Sequence, residues 1–137
     1  MQPMRELNKQ FTDKVNADLS KLVVDMQRTA TLDIWNMLTR ATPVDTGRAR
    51  ASWIATTRQP SDEEPPEGQP TYPLNRPSLG NTKMGIPNFV VSNLVYMSRL
   101  NQGHSEQAPT MFVERAVTKG WAAANRRIRK ELQRRGF

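Results

Sequence analysis

The chain has 137 residues, 36% apolar and 24% charged. That is enough for one core burying roughly two thirds of the unfolded surface, and too apolar and too patterned for wholesale disorder. It contains no cysteine, which removes disulfides, thiolate chemistry and cysteine-ligated zinc or iron–sulfur sites. The net charge of +7 is concentrated near one end: residues 1–113 hold 12 Lys/Arg against 11 Asp/Glu, and residues 114–137 hold 8 against 2.

The first residues show no secretory pattern, and no apolar run approaches the ~20 residues that span a bilayer. A soluble single domain over residues 1–137 is expected, with no membrane contact. From residue 3 to about 39, Met4, Leu7, Phe11, Val15, Leu19, Leu22, Val23, Met26, Ala30, Trp35 and Leu38 recur mostly at three- and four-residue steps without an internal glycine or proline. This spacing predicts a long amphipathic helix over roughly residues 1–40, stopped by Thr42-Pro43. At about 1.5 Å per residue it is ~55 Å long, whereas a compact domain of this size is about 37 Å across. Either the helix breaks, near Thr29-Ala30-Thr31, or another subunit covers part of its apolar face.

Pro43-Val44-Asp45-Thr46-Gly47 is a dense turn signal. Ser52-Trp53-Ile54-Ala55-Thr56-Thr57 and Asn88-Phe89-Val90-Val91-Ser92-Asn93, rich in aromatic and β-branched residues, predict two strands. The connection between them, residues 60–87, holds seven of the ten prolines and the acidic run Asp62-Glu63-Glu64. Such a length predicts an extended functional arm or a disordered excursion rather than packed core. A short helix over Val95-Tyr96-Met97-Ser98-Arg99-Leu100 runs toward a glycine cap at Gly103. A last helix covers residues 110–135. At ~100° per residue its Val113, Val117, Trp121, Ala124, Ile128 and Leu132 share a sector of about 100°, and Arg115, Lys119, Arg126 and Lys130 share about 60° on nearly the opposite side. Together these elements give an α+β fold: long N-terminal and C-terminal helices on a small antiparallel sheet, with a Pro-rich loop or arm between the strands.

The order of these segments resembles the tail-completion, or minor tail, proteins of long-tailed bacteriophages. The likeness rests on Thr42-Pro43-Val44-Asp45-Thr46-Gly47-Arg48-Ala49-Arg50-Ala51-Ser52-Trp53 after the first helix, matching a P-x-D-T-G-x-[LA]-R-x-S pattern. It continues in Tyr96 with Gly103-His104, then in Gln107-Ala108-Pro109 before a helix starting near Phe112. About two thirds of the chain takes part, residues 60–87 excepted. Asn101 stands where that family often has Glu, and Ala49 where Leu is usual. The resemblance implies a virion protein of the tail or neck, assembled in the host cytoplasm. It would form a homo-oligomeric ring, hexameric like the tail tube, and join tail-tube and connector proteins.

The residues carry no sign of catalysis. Asp45-Thr46-Gly47-Arg48 lacks the glycine spacing of a phosphate loop, and the lone His104, with only Glu106 nearby, does not make a metal or acid–base site. No enzyme activity, cofactor or metal is expected. Asp45 or Thr46 is instead placed as a helix cap, leaving Arg48 and Arg50 for carboxylates of this chain or a neighbour. Trp53 and Trp121 are placed in the core. Trp35, Arg48, Arg50, Tyr72, Tyr96 and His104 are the candidate subunit-contact residues. Arg115, Lys119, Arg126, Arg127 and Lys130 form a basic face with three readings: a solvated surface, a contact to an acidic ring, or non-specific contact with DNA in the channel. The alternative function is accordingly a small non-specific DNA-binding protein.

Overall fold

The structure, a computed structural model, describes residues 2–43, 48–64, 77–103 and 111–137. It is α+β, as the sequence predicts. Helix α1 (Gln2–Ala41) leads to a one-turn α2 (Arg48–Ala51) and strand β1 (Trp53–Thr57), then to strand β2 (Asn88–Ser92), a short α3 (Met97–Asn101) and α4 (Phe112–Arg134).

The first helix does not break. It runs unbroken through Thr29 and Thr31, and the hydroxyl of Thr31 donates back to the Gln27 carbonyl at 2.8 Å, keeping its polar group within the helix. At about 1.5 Å per residue, 40 residues make a rod of ~60 Å. Its C-terminus is closed by two side chains. Thr42 Oγ1 donates to the Leu38 carbonyl at 2.6 Å, and the Arg50 guanidinium donates to the carbonyls of Arg40 and Thr42, each at 3.2 Å. A cation on the last carbonyls opposes the negative end of the helix dipole.

The strands pair antiparallel, with Trp53 opposite Ser92 and Thr57 opposite Asn88. Trp53, Ile54 and Ala55 are buried. Indole donors tie this hairpin to α1: Trp53 Nε1 reaches Thr42 Oγ1 at 2.7 Å and Trp35 Nε1 reaches the Trp53 carbonyl at 3.0 Å. Around them Leu38, Ala49, Leu94, Met97, Phe112 and Ala116 close the core.

The described ends of the Pro-rich connection do not stand away from the domain. Ser78 forms a parallel bridge with Thr56, Leu79 and Thr82 are buried, and Arg28 on α1 donates to the carbonyls of Leu79 and Gly80, both at 3.0 Å. On the other side of the gap, Asn93 holds the carbonyls of Ser61 and Glu63 at 2.7 and 2.9 Å. Residues 65–76, the middle of the expected arm, lie outside the described residues. The Leu79 and Gly80 carbonyls are thus taken up by Arg28, which holds this end of the loop against α1.

Helix α4 lies antiparallel along α1. Phe112 packs near Leu38, Gly120 faces Ile34, and Arg135 reaches Asp25 at 3.8 Å. The close approach depends on Gly120, where a Cβ would sit 2.7 Å from the Ile34 Cα and 3.0 Å from the Asp33 carbonyl oxygen.

Candidate subunit interface

The contact with α4 divides α1 in two. From Leu22 onward one face of α1 lies along α4: Leu22 and Asp33 are buried, and Arg127 of α4 reaches the Asp33 carboxylate. At ~100° per residue, Met4, Leu7, Phe11, Val15 and Leu19 project from that same face. There α4 has already ended, and Met4, Leu7 and Phe11 are 65%, 62% and 72% exposed. The uncovered stripe is therefore the continuation of the intramolecular helix–helix contact beyond the end of α4. Its steps from Met4 to Met26 are three, four, four, four, three and four residues. They average about 3.67, the 11-residue repeat, so the stripe runs nearly straight along the rod and does not wind around it.

A second uncovered apolar surface lies on the domain itself. An open trough of about 770 Å³ runs between α1, α4 and β2, lined by Met26, Ala30, Ile34, Val90, Trp121 and Ile128 among others, none of them charged. Trp121 is 54% exposed on its wall, which corrects its expected place in the core. The cause is the strip of small residues on α4. Ala116, Gly120 and Ala124 are the buried positions facing α1, about a quarter turn from the sector of Val117, Trp121 and Ile128. Close backbone approach wins over burial of the larger side chains, and these are left on the flank.

The other expected contact residues are distributed unevenly. Trp35 is half-buried and its indole hydrogen is committed to Trp53, so it belongs to the fold's interior seam. Arg48 lies 3.5 Å from Glu64 of the same chain, and its guanidinium carbon stands 5.9 Å from the centre of the Tyr96 ring. Among the described residues Arg50 meets the backbone carbonyls of Arg40 and Thr42. Tyr72, His104 and the Asp45-Thr46 cap lie outside the described residues, as does Gln107-Ala108-Pro109.

Arg115, Lys119, Arg126 and Lys130 are exposed along α4. Arg127 differs from them, since its guanidinium is 3.3 Å from the buried Asp33 carboxylate. An uncompensated charge at Asp33 would be costly, which holds Arg127 to a structural role. At the end of α4, Arg134 and then Arg135 hydrogen-bond Glu131 and hold its carboxyl down to about 2.

Asn101 was noticed in the sequence only as a departure from a family pattern, and its role was missed. Its Oδ1 accepts the backbone N–H of Val113 at 2.8 Å and its amide donates to both Glu114 oxygens at 2.9 and 3.0 Å. It thus caps the start of α4 from α3, where Met111 supplies no side-chain cap of its own.

Among the described residues no group of three or more His, Cys, Asp or Glu is placed to hold a metal, and no helix is long and apolar enough to cross a membrane. Compared with known proteins, the chain matches no family model, no curated protein and no solved structure.

Proposed function

We propose that the protein is a structural ring subunit of the head–tail junction of a long-tailed phage, completing or terminating the tail tube and joining it to the head connector. The observation that carries the assembly part is the uncovered stripe of α1, with Met4, Leu7 and Phe11 more than half exposed on a helix that outruns its domain. Contiguous apolar surface on this scale marks a protein–protein contact. The phage part is supported by the sequence likeness across Thr42 to Trp53 and from Tyr96 to Phe112. The work of such a subunit is assembly, without catalysis or cofactor, and its partners are further copies of itself, most simply six, with tail-tube and connector proteins. Native mass measurement of the purified chain, alone and with a tail-tube protein, tests this. A defined multiple that joins a tail particle is expected, and a strictly monomeric protein that never enters a particle would sink the reading.

The exposed Arg115, Lys119, Arg126 and Lys130 favour a second reading, non-specific binding of the DNA backbone. Binding of that kind falls steeply with salt as counterions are released. Replacing Arg126 and Lys130 by alanine should weaken it and lower its salt slope, while a ring contact made through α1 is indifferent to both changes.

A further inference from the structure

We propose that the trough between α1 and α4 is the seat for the α1 overhang of a second copy of this chain. The proposal rests on the reading of the protein as an assembling subunit, and it identifies which two surfaces meet.

The trough selects its occupant by chemistry. In a chain with 24% charged residues and a net charge of +7, not one of the residues lining it is charged, and it has an exposed indole on its wall. Nucleic acid finds no cation there. An elongated apolar segment does find a matching surface, and the overhang is the described segment of that kind. Along α1 the lining runs from Met26 to Leu38, about 18 Å at ~1.5 Å per residue, and the stripe from Met4 to Leu19 is about 23 Å on the same measure. The 11-residue repeat drifts by only about 20° per 11 residues on a 3.6-residue helix, which keeps the stripe on one side of the rod.

Area and charge point the same way. The exposed apolar surface of Met4, Leu7, Phe11, Val15 and Leu19 is on the order of 500 Å², near the largest patch an ordinary monomer leaves open. Seated in the trough, that patch leaves water together with the exposed Val117 and Trp121 of the trough wall. Arg5, Lys9 and Lys14 of the overhang are balanced by Glu6, Asp13 and Asp18. The segment therefore approaches a strongly basic chain without net repulsion.

The contact is heterologous, since overhang and trough are different surfaces and every copy carries one of each. Such a contact repeats from copy to copy and closes into a ring when the rotation allows.

The test uses two surface variants of the full chain, Phe11→Asp in the overhang and Trp121→Glu in the trough. Circular dichroism should show both folded, because both side chains are mostly exposed. Native mass measurement is then made on each alone and on an equimolar mixture. Each variant alone should be monomeric, and the mixture should form a dimer and nothing larger, because one intact overhang then meets one intact trough. Assembly of Trp121→Glu indistinguishable from wild type would overturn the proposal, as would a mixture that stays monomeric or a wild-type chain that is monomeric at millimolar concentration. A wild-type assembly that closes at two copies, with the mixture still dimeric, would support the seat and remove the ring.

Discussion

The two halves of α1 share one helix, one apolar period and one facing direction, yet they are stabilised differently. Residues 22–41 are held by α4, by the hairpin and by the loop around Leu79, whereas residues 3–19 are exposed throughout and, among the described residues, have only Arg135 and Phe137 after α4 beside Val15 to Leu19. The difference lies in the partner and not in the pattern. Helix α4 is 23 residues against the 40 of α1, so the shorter helix runs out while the apolar stripe continues. An isolated stretch of about 15 residues is a marginal helix in water, and in the assembly proposed above a second copy completes its burial.

Leucine truncation breaks or sharpens this contrast most directly, because each half holds a leucine. Leu38 is 2% exposed in the core, and Leu38→Ala should cost about 2–5 kcal/mol through lost burial and the cavity left behind. Leu7 is 62% exposed, and Leu7→Ala should change the stability of the dilute monomer by no more than about 0.5 kcal/mol. Urea unfolding of the two variants measures both. Equal losses would mean that the overhang is covered within its own chain.

The covered half can also be attacked from the α4 side. In an exposed helix, glycine to alanine gains about 1 kcal/mol. Position 120 should reverse that sign, because the added carbon would lie 2.7 Å from the Ile34 Cα and the two helices must part to admit it. Thermal unfolding of Gly120→Ala should show a net loss of about 1–3 kcal/mol, the usual cost of overpacking. A gain would show that the helices slide apart freely, and the seam would then not be what divides α1.

The same helices show how far a sequence carries. The length of α1, its stop at Thr42-Pro43, both strands and the glycine cap after α3 were legible, because each depends on local period or local backbone chemistry; Gly103 does take a positive φ of 93°. The face of α4 that turns inward was not. A wheel weighted by hydrophobicity centres on Trp121 and Ile128, and nothing local states that Gly120 will meet a backbone 86 positions earlier in the chain. The anchoring of residues 77–87 was not legible for a related reason, since Arg28 and Thr31, which reach Leu79 and Asn88, come from a distant segment. Of the two arginines left for carboxylates, Arg48 lies beside Glu64, whereas Arg50 donates to the carbonyls that end α1. The Asn101 cap could have been suspected from one signal, a bare α4 start with no Ser, Thr, Asp or Asn immediately before Phe112 except Thr110.

The smallest effect sits at the boundary between the halves, where α4 ends on α1. Glu131 is hydrogen-bonded first by Arg134 and then by Arg135, and Arg135 also leans 3.8 Å toward Asp25 of α1. The carboxyl is lowered from 4.5 to about 2, so between these values the unfolded chain binds a proton that the folded chain refuses. Its stabilising contribution is complete above pH 4.5 and is lost as pH falls toward 2. The site is open to water, which keeps the contribution small. The informative quantity is the difference between wild type and Glu131→Gln. The variant should lie slightly below wild type at neutral pH and converge with it near pH 2. A Glu131 carboxyl that titrates near 4.5 in an NMR pH series would show the two arginines turned to solvent, and the last turn of α4 would then no longer mark where the covered half of α1 begins.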